Sequence, residues 1–158
     1  MEVGTQAPEF ALEAVVSERP VNSEALAGRR VVLVFHGPRT SDAPKEVGKA
    51  VRAAHPDAGD VFVANVVNLK SMAGMWQKVA KAQLKATYDR MAGKLEAKGT
   101  DPVDYVVMCA DWDNDVAPRF GCDDSNQAPA VAVLDADGTV LGTATGDDLP
   151  GQVLALLA

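Results

Sequence analysis

The sequence predicts an α/β fold in which a mainly parallel sheet is flanked by helices. Continuous apolar runs rich in β-branched residues alternate with stretches whose apolar positions follow helical spacing. The chain has 158 residues, of which 47% are hydrophobic, and this is enough to build one sizeable core. We therefore expect a single domain over residues 1–158.

The first half of the chain predicts a short hairpin, a strand buried on both faces, a helix and a second core strand. Ser41, Asp42 and Pro44 are residue types that cap and open helices, so they mark the start of the helix. In chain order these elements are expected at residues 10–16 with 19–21, 31–35, 44–54 and 61–67.

A long helical insertion is expected at about residues 70–98, after the second core strand. Its apolar residues recur every three to five positions, and Gly74 and Gly93 are candidate interruptions. The last helix is expected to be capped by Asp147 or Asp148. The remaining elements are a third core strand, a short helix, a hairpin and this closing helix, at residues 103–109, 113–120, 130–134 with 139–142, and 149–157.

Charge and composition restrict the function classes. A net charge of −7 disfavours wholesale binding to nucleic acid or to anionic membranes. No segment is apolar enough to span a bilayer, and the N-terminus carries no visible secretory signal. Two cysteines are too few for a disulfide framework, so we expect a protein of the reducing cytoplasm.

Two segments carry a family resemblance. Residues 3–12, VGTQAPEFAL, resemble the N-terminal segment of the redoxin and peroxiredoxin branch of the thioredoxin superfamily. Ala128-Pro129 before a strand, followed by the LDADGTVLG hairpin, resembles the second half of that fold. The resemblance spans nearly the whole chain and implies a thioredoxin-like fold with a central mixed sheet.

The order of three shorter motifs resembles a narrower group, the YtfJ-type bacterial thioredoxin-like proteins. Members of that group commonly lack the redox cysteine pair, so the resemblance implies a fold more than an activity. The motifs are Arg39-Thr40-Ser41, Asn68-Leu69-Lys70, and Asp123-Asp124 ahead of Val133-Leu134-Asp135-Ala136-Asp137-Gly138.

The turn after the first core strand lacks the residue that thiol chemistry requires. A dithiol enzyme places two cysteines at the helix start, where free amides lower the thiolate pKa. On the superfamily pattern these positions fall at about Thr40 and Ala43. A threonine hydroxyl needs an activating base, and the nearby His36 is expected to be a packed strand residue. The turn therefore predicts no catalytic nucleophile.

The same turn could still bind a ligand. Free amides at a helix start attract anions, and Arg39, Thr40 and Ser41 add one charge and two hydroxyls. The alternative is that Ser41 or Asp42 only caps the helix. By resemblance, Pro129 is expected to be cis and to lie beside the turn, with Ala128 facing a groove that accepts an extended peptide. The candidate binding residues are Arg39, Thr40, Ser41, Ala128 and Pro129.

The two cysteines offer an alternative, catalytic function. Cys109 ends an apolar run and is expected in the core, whereas Cys122 is expected to be accessible. Acidic neighbours disfavour a Cys122 thiolate. A redoxin-type thiol peroxidase or oxidoreductase using Cys122 with Cys109 remains the alternative to a binding protein.

The sequence predicts neither a metal nor a cofactor. The acidic loop at residues 111–115 imitates the first half of a calcium loop, but Val116 and Cys122 stand where the glycine and the glutamate are needed. Only two histidines occur, without metal-binding spacing. A loop that caps the next helix is the expected role.

The helical insertion supports a third hypothesis, a regulatory protein that contacts an acidic partner or nucleic acid. Residues 70–98 carry a local charge of +5, which leaves −12 for the rest of the chain. Met72, Met75 and Trp76 are candidate apolar anchors. The alternative is an amphipathic helix whose methionine and tryptophan stripe packs on the sheet. Our principal hypothesis remains a non-catalytic protein that binds a protein segment or a small anion at the turn.

Overall fold

The computed structural model describes residues 2–72, 74–122 and 124–158. Among these residues, five strands form one sheet in the order β5-β4-β3-β6-β7, and two shorter strands, β1 and β2, form a separate hairpin. The strands are β1 (Ala11–Glu13), β2 (Pro20–Asn22), β3 (Arg30–His36), β4 (Val61–Asn68), β5 (Met108–Asp111), β6 (Ala130–Leu134) and β7 (Val140–Thr145).

In the described ranges, four α-helices connect or follow these strands. No helix in the described parts of the chain is both long and apolar enough to cross a membrane. Two single turns of 3-10 helix, Pro38–Thr40 and Pro102–Asp104, precede α1 and β5. The helices are α1 (Asp42–Ala54), α2 (Met75–Glu96), α3 (Val116–Arg119) and α4 (Leu149–Leu157).

Strand β3 lies at the centre of the sheet and makes it mixed. It pairs in parallel with β4 and antiparallel with β6, while β4–β5 is parallel and β6–β7 is antiparallel. All residues from Val31 to His36 are buried. This burial explains why the run VVLVF is apolar without alternation, since helices or loops cover both faces.

The two faces of the sheet carry separate cores. Helices α1 and α4 cover one face, where Val47 and Val51 pack against Val32 and Val34. Full burial of such a side chain contributes about 1.5–3 kcal/mol to folding. Phe10, Phe120 and the β1–β2 hairpin cover the other face. Packing against the sheet therefore fixes the position of α1, and with it the end of the turn that leads into this helix.

Helix α2 joins β4 to β5, and only part of its apolar stripe is buried. Its second half packs on the sheet edge through residues that include Tyr88 and Ala92. At its start, Met75, Trp76 and Val79 are 76%, 61% and 45% exposed. The expectation that the methionine and tryptophan stripe packs on the sheet is therefore wrong for these residues. Gly93 lies inside the helix and does not interrupt it.

Two predicted elements are shorter than expected. The expected strand at residues 103–109 becomes a 3-10 turn, because Asp101 caps it by accepting the amide of Val103 and Pro102 begins it. Pairing with β4 begins only at Met108. The predicted helix at residues 113–120 is confined to α3, because Asn114 has a left-handed backbone with φ of 49°. Asp148 caps α4 through the amide of Gly151, as expected.

The N-terminal segment touches both outer strands of the sheet. Near its start, the amide of Gly4 donates to the carbonyl of Val140, whose own amide donates to Thr5. Further along, Ala14 bridges to Cys109 on β5. One stretch of chain therefore contacts both outer strands.

The turn after β3 packs closely against the loop that precedes β6. A Cβ atom built on Gly37 would lie 2.8 Å from the Cα atom of Asn126, which is closer than real side chains allow. The φ angle of Gly37 is −113°, so the residue is required for space and not for a left-handed backbone. Glycine at this position lets the two segments touch.

We predict that Gly37→Ala lowers the free energy of unfolding by about 1–3 kcal/mol, because the loop backbone at Asn126 must move. The matched control is Gly48→Ala on α1, where the added methyl meets no described atom within 4 Å. That substitution should raise stability by about 0.5–1 kcal/mol, as expected for a helix interior. Urea unfolding measures both, and equal effects of the two substitutions would contradict the close packing.

Candidate functional site

The segment from residue 37 to residue 41, called the 37–41 turn below, joins β3 to α1. The Thr40 hydroxyl accepts the amide hydrogen of Gly37 at 2.8 Å and lies 3.1 Å from the carbonyl oxygen of Ser125. A hydroxyl has one hydrogen, so it can donate to Ser125 while it accepts from Gly37. The Thr40 side chain therefore closes the turn and attaches it to the loop that precedes β6.

Two buried polar residues extend this attachment to β4. Ser125 is 1% exposed, and its hydroxyl accepts from the Asn68 side-chain amide at 3.3 Å. The Asn68 side-chain oxygen accepts the amide of Lys70 at 3.1 Å. The sequence reasoning missed Ser125. The available signal was a small polar residue between an acidic pair and Ala128-Pro129, but nothing in the local pattern indicates its burial.

Ser41 and Arg39 stand on the outside of the turn. Ser41 occupies the position before α1 without capping the helix through its side chain, so the predicted capping role is wrong. The 3-10 turn Pro38–Thr40 runs directly into α1, and Thr40 supplies the closing hydroxyl instead. The Arg39 guanidinium is exposed and forms no hydrogen bond or ion pair with any described residue.

A groove of about 510 Å³ opens on one side of Arg39. We call it the Trp76 groove, because the exposed Trp76 at the start of α2 forms one wall. Among the described residues, its lining contains no carboxylate. Its lining residues are Pro38, Arg39, Ser71, Met72, Trp76, Asn126 and Gln127.

A smaller hollow of about 270 Å³ lies on the other side of Arg39 and Thr40. Pro129 lines it, which confirms that this proline lies beside the turn. The lining also includes four carboxylates, so we call it the acidic hollow; they belong to Asp42, Glu46, Asp147 and Asp148.

The backbone at Ala128 and Pro129 differs from the expectation. No described residue is joined through a cis peptide bond, so Pro129 is trans. The Ala128 amide donates to the carbonyl of Asp124 at 2.9 Å, within its own loop. Ala128 is exposed, but this hydrogen bond removes the donor that an extended peptide would use. The predicted peptide-binding backbone edge therefore lacks this amide donor.

His36 is a packed strand residue, as expected. It is 6% exposed, and its Nδ1 atom lies 3.1 Å from the carbonyl oxygen of Gly37. Burial lowers the pKa of His36, and the hydrogen bond to Gly37 offsets only part of that effect. The Thr40 hydroxyl is bonded to Gly37 and Ser125, so His36 does not activate it.

Both cysteines are buried thiols in the core opposite α1. Burial, together with the smaller effect of the negative charge of Asp111, raises the pKa of Cys109 to about 12. The expectation that Cys122 is accessible is wrong, because its side chain is only 5% exposed and contacts the carbonyl of Phe120. The residue packs with Phe120 in the core, while Asp123 lies outside the described residues.

The acidic loop after β5 serves the helix that follows it. The Asp111 carboxylate accepts the amides of Asp115 and Val116, at 3.1 Å and 2.9 Å. These are the free amides at the start of α3, so the predicted capping loop is confirmed. No group of three or more acidic, histidine or cysteine side chains in the described ranges is arranged to hold a metal ion.

Comparison with known proteins agrees with this architecture. The model of the family described as Redoxin matches residues 2–156. No curated protein matches the chain.

Solved structures with the same fold cover nearly the whole chain. A Chlorobium tepidum protein provisionally assigned as the thiol:disulfide interchange protein DsbE is 18% identical, with a TM-score of 0.67 and coverage of 100% and 99% of the two chains. The exposed lipoprotein thioredoxin of Streptococcus pneumoniae is 18% identical, with a TM-score of 0.64 and coverage of 95% and 98%. The dsbF protein of MTB is 26% identical, with a TM-score of 0.57 and the same coverage. The thioredoxin-like fold is confirmed.

We predict that neither thiol reacts readily with a maleimide while the protein is folded. Burial denies access, and a pKa of about 12 leaves Cys109 almost entirely protonated at neutral pH. Both should react rapidly in urea. Mass spectrometry of labelled wild type, with Cys122→Ala and Cys109→Ala to assign each site, measures this. Rapid labelling of Cys122 in the native protein would contradict the burial.

We also predict that stability falls as the pH drops below about 6.5, the ordinary histidine value. In that range the unfolded chain binds more protons at His36 than the folded chain does, so the free energy of unfolding falls by up to about 1.4 kcal/mol per pH unit. Urea unfolding between pH 7.5 and about 5.5 tests this. His36→Gln should flatten the profile, and an unchanged dependence in that variant would refute the assignment.

Proposed function

This chain belongs to the redoxin family, and we propose that it is a non-catalytic binding protein that holds an extended protein segment in the Trp76 groove. One observation carries the proposal. The turn that would present a reactive thiol instead uses the Thr40 hydroxyl to close itself, while Arg39 beside it stays unpaired among the described residues. The turn is closed by its own hydrogen bonds, and the Arg39 guanidinium beside it is exposed.

The chemistry of the groove indicates what kind of segment it suits. Arg39 can bind a carboxylate through two parallel hydrogen bonds. Trp76 offers an exposed indole face, which is the type of surface that anchors apolar side chains in interfaces. Gln127 adds an amide at the groove wall. We therefore propose a segment in which an acidic residue lies close to an aromatic or aliphatic one.

A small anion is a weaker alternative. The acidic hollow beside Thr40 is lined by four carboxylates, which repel an anion approaching the helix start from that side. A free anion in the Trp76 groove would use Arg39 but gain nothing from the indole. The protein segment uses both, and we favour it for this reason.

The thiol enzyme remains the alternative of a different class. It would need a thiolate that reaches substrate, and both Cys109 and Cys122 are buried. Nothing in their surroundings favours the charged form of Cys109, because burial and Asp111 both raise its pKa. The alternative therefore requires a rearrangement of the core.

A regulatory role through nucleic acid would use the basic helical insertion. Its lysines include Lys81 and Lys85, which are both exposed. Retention on heparin that weakens with salt, and is lost in Lys81→Glu/Lys85→Glu, would favour this role. The negative charge of the rest of the chain disfavours it.

Membership of the narrower YtfJ-type group and a cytoplasmic location belong to the same proposal. The first is supported by the RTS turn without a cysteine pair. The second is supported by two cysteines that are thiols and not a disulfide.

The experiment is selection of random seven-residue peptides displayed on phage, with the full chain as bait. We expect enriched peptides to pair an acidic residue with an aromatic or aliphatic one. Binding of a selected synthetic peptide, measured by titration calorimetry, should weaken at least tenfold in Arg39→Gln and in Trp76→Ala, because each removes one half of the recognition.

Lys49→Gln is the matched control, since this exposed lysine lies on α1 and lines no described cavity of the site. It should bind like wild type. Failure to enrich any sequence, or selected peptides that bind Arg39→Gln and Trp76→Ala as well as wild type, would overturn the proposal. Peroxide consumption by wild type that disappears in Cys122→Ser would favour the thiol enzyme instead.

A further inference from the structure

Another cavity, of about 270 Å³, lies between the N-terminal segment, the loop after β2 and the hairpin that joins β6 to β7. Its volume is several times the roughly 30 Å³ that one water molecule occupies in the liquid. The buried Phe10 lines it, so we call it the Phe10 cavity. Among the described residues, it shares none with the lining of the Trp76 groove.

Backbone hydrogen bonds join the three segments that form the Phe10 cavity. The amide of Ala7, in the N-terminal segment, donates to the carbonyl oxygen of Gly138 in the hairpin at 2.9 Å. The amide of Gly28, after the second segment, donates to the carbonyl oxygen of Ala136 at 2.9 Å. The cavity is therefore formed by the fold itself, and a ligand does not have to order its walls on binding.

The buried side chains of the lining are apolar. Each of them is at most 5% exposed, and together they come from all three segments. A ligand with an apolar group gains free energy here, because contact with such side chains removes apolar surface from water. These residues are Phe10, Leu26, Val31 and Leu134.

The charged side chains of the lining all have the same sign. They are the carboxylates of Glu9, Asp135 and Asp137, and the described lining contains no lysine, arginine or histidine. The Glu9 side chain is exposed and has no hydrogen-bond or ion-pair partner among the described residues. Like charges around one cavity repel each other, and a bound cation offsets that repulsion. The charge of the lining therefore selects a cationic ligand.

The two aspartates can accept further hydrogen bonds. Asp135 accepts the amide of Ala136 at 2.8 Å, and Asp137 accepts the amide of Thr139 at 3.0 Å. A carboxylate offers about four acceptor sites, so one backbone amide does not saturate it. Hydrogen bonding to the side chain and the amide of Thr139 lowers the pKa of Asp137, so this carboxylate is ionised at neutral pH.

We infer that the Phe10 cavity binds a small organic amine, in its ammonium form, that carries a compact apolar group. The ammonium group donates hydrogen bonds to the carboxylates, and the apolar group packs against Phe10 and the other buried lining residues. An inorganic cation would gain nothing from the apolar lining, and a carboxylate or phosphate would be repelled. The inference goes beyond the peptide proposal, because the two sites share no described lining residue.

The test is a titration of the full chain at pH 7, followed by amide chemical shifts in two-dimensional NMR. The probe is phenethylammonium, and the comparison compounds are 2-phenylethanol, which lacks the charge, and methylammonium, which lacks the apolar group. We expect phenethylammonium to cause saturable shifts at Ala7, Leu26 and Gly138. Both comparison compounds should bind at least tenfold more weakly, because each lacks one half of the recognition.

Two variants complete the test. Glu9→Gln combined with Asp137→Asn should weaken binding at least tenfold, and the asparagine keeps an oxygen that accepts the amide of Thr139. Glu24→Gln is the matched control, because this exposed glutamate does not line the cavity, and it should bind like wild type. Absence of saturable shifts, equal binding of either comparison compound, or equal behaviour of the double variant and Glu24→Gln would overturn the inference. None of these substitutions changes the Trp76 groove, so such a result would leave the peptide proposal standing.

Discussion

The contact between the 37–41 turn and the loop before β6 is the constraint on which the site depends. Gly37 allows the two backbones to touch, and Thr40, Ser125 and Asn68 then join three strand ends through side-chain hydrogen bonds. Each of these groups is buried or half-buried, so its bonds exchange little with water. Arg39 stands on the turn that this buried network holds in place.

The network also explains how a redoxin fold can persist without a thiol at the turn. In a dithiol protein the helix start presents a reactive group, and the surrounding packing must leave it accessible. Here Thr40 turns its hydroxyl inward to backbone atoms, and Ala43 packs against the core under α1. The turn therefore has a structural role, and only its outward-pointing side chains are available for binding.

Much of the fold could be predicted from the sequence because its strands are apolar on both faces and its helices carry one apolar stripe. The run VVLVF predicts β3, and Asp148 predicts the N-terminal cap of α4. The failures have physical reasons. The apolar stripe of α2 does not show how much of the helix the sheet covers. The exposure of Met75 and Trp76 at its start was therefore not predictable.

The site was predictable as a place but not as a set of interactions. The Pro38–Thr40 turn and Pro129 lie together, as the order of motifs implied. The burial of Ser125 and Cys122 and the bond between Ala128 and Asp124 depend on how the loop folds back. Such contacts between distant segments leave no periodic trace in the sequence.

The N-terminal segment affects whether other chains can pair with the edges of the sheet. Unpaired outer strands invite pairing with other chains, and here hydrogen bonds from Gly4 and Val15 occupy part of β7 and of β5 respectively. Losing this segment would expose main-chain donors and acceptors at both margins at once. The N-terminal segment thereby hinders the addition of a strand from another chain at either margin of the sheet.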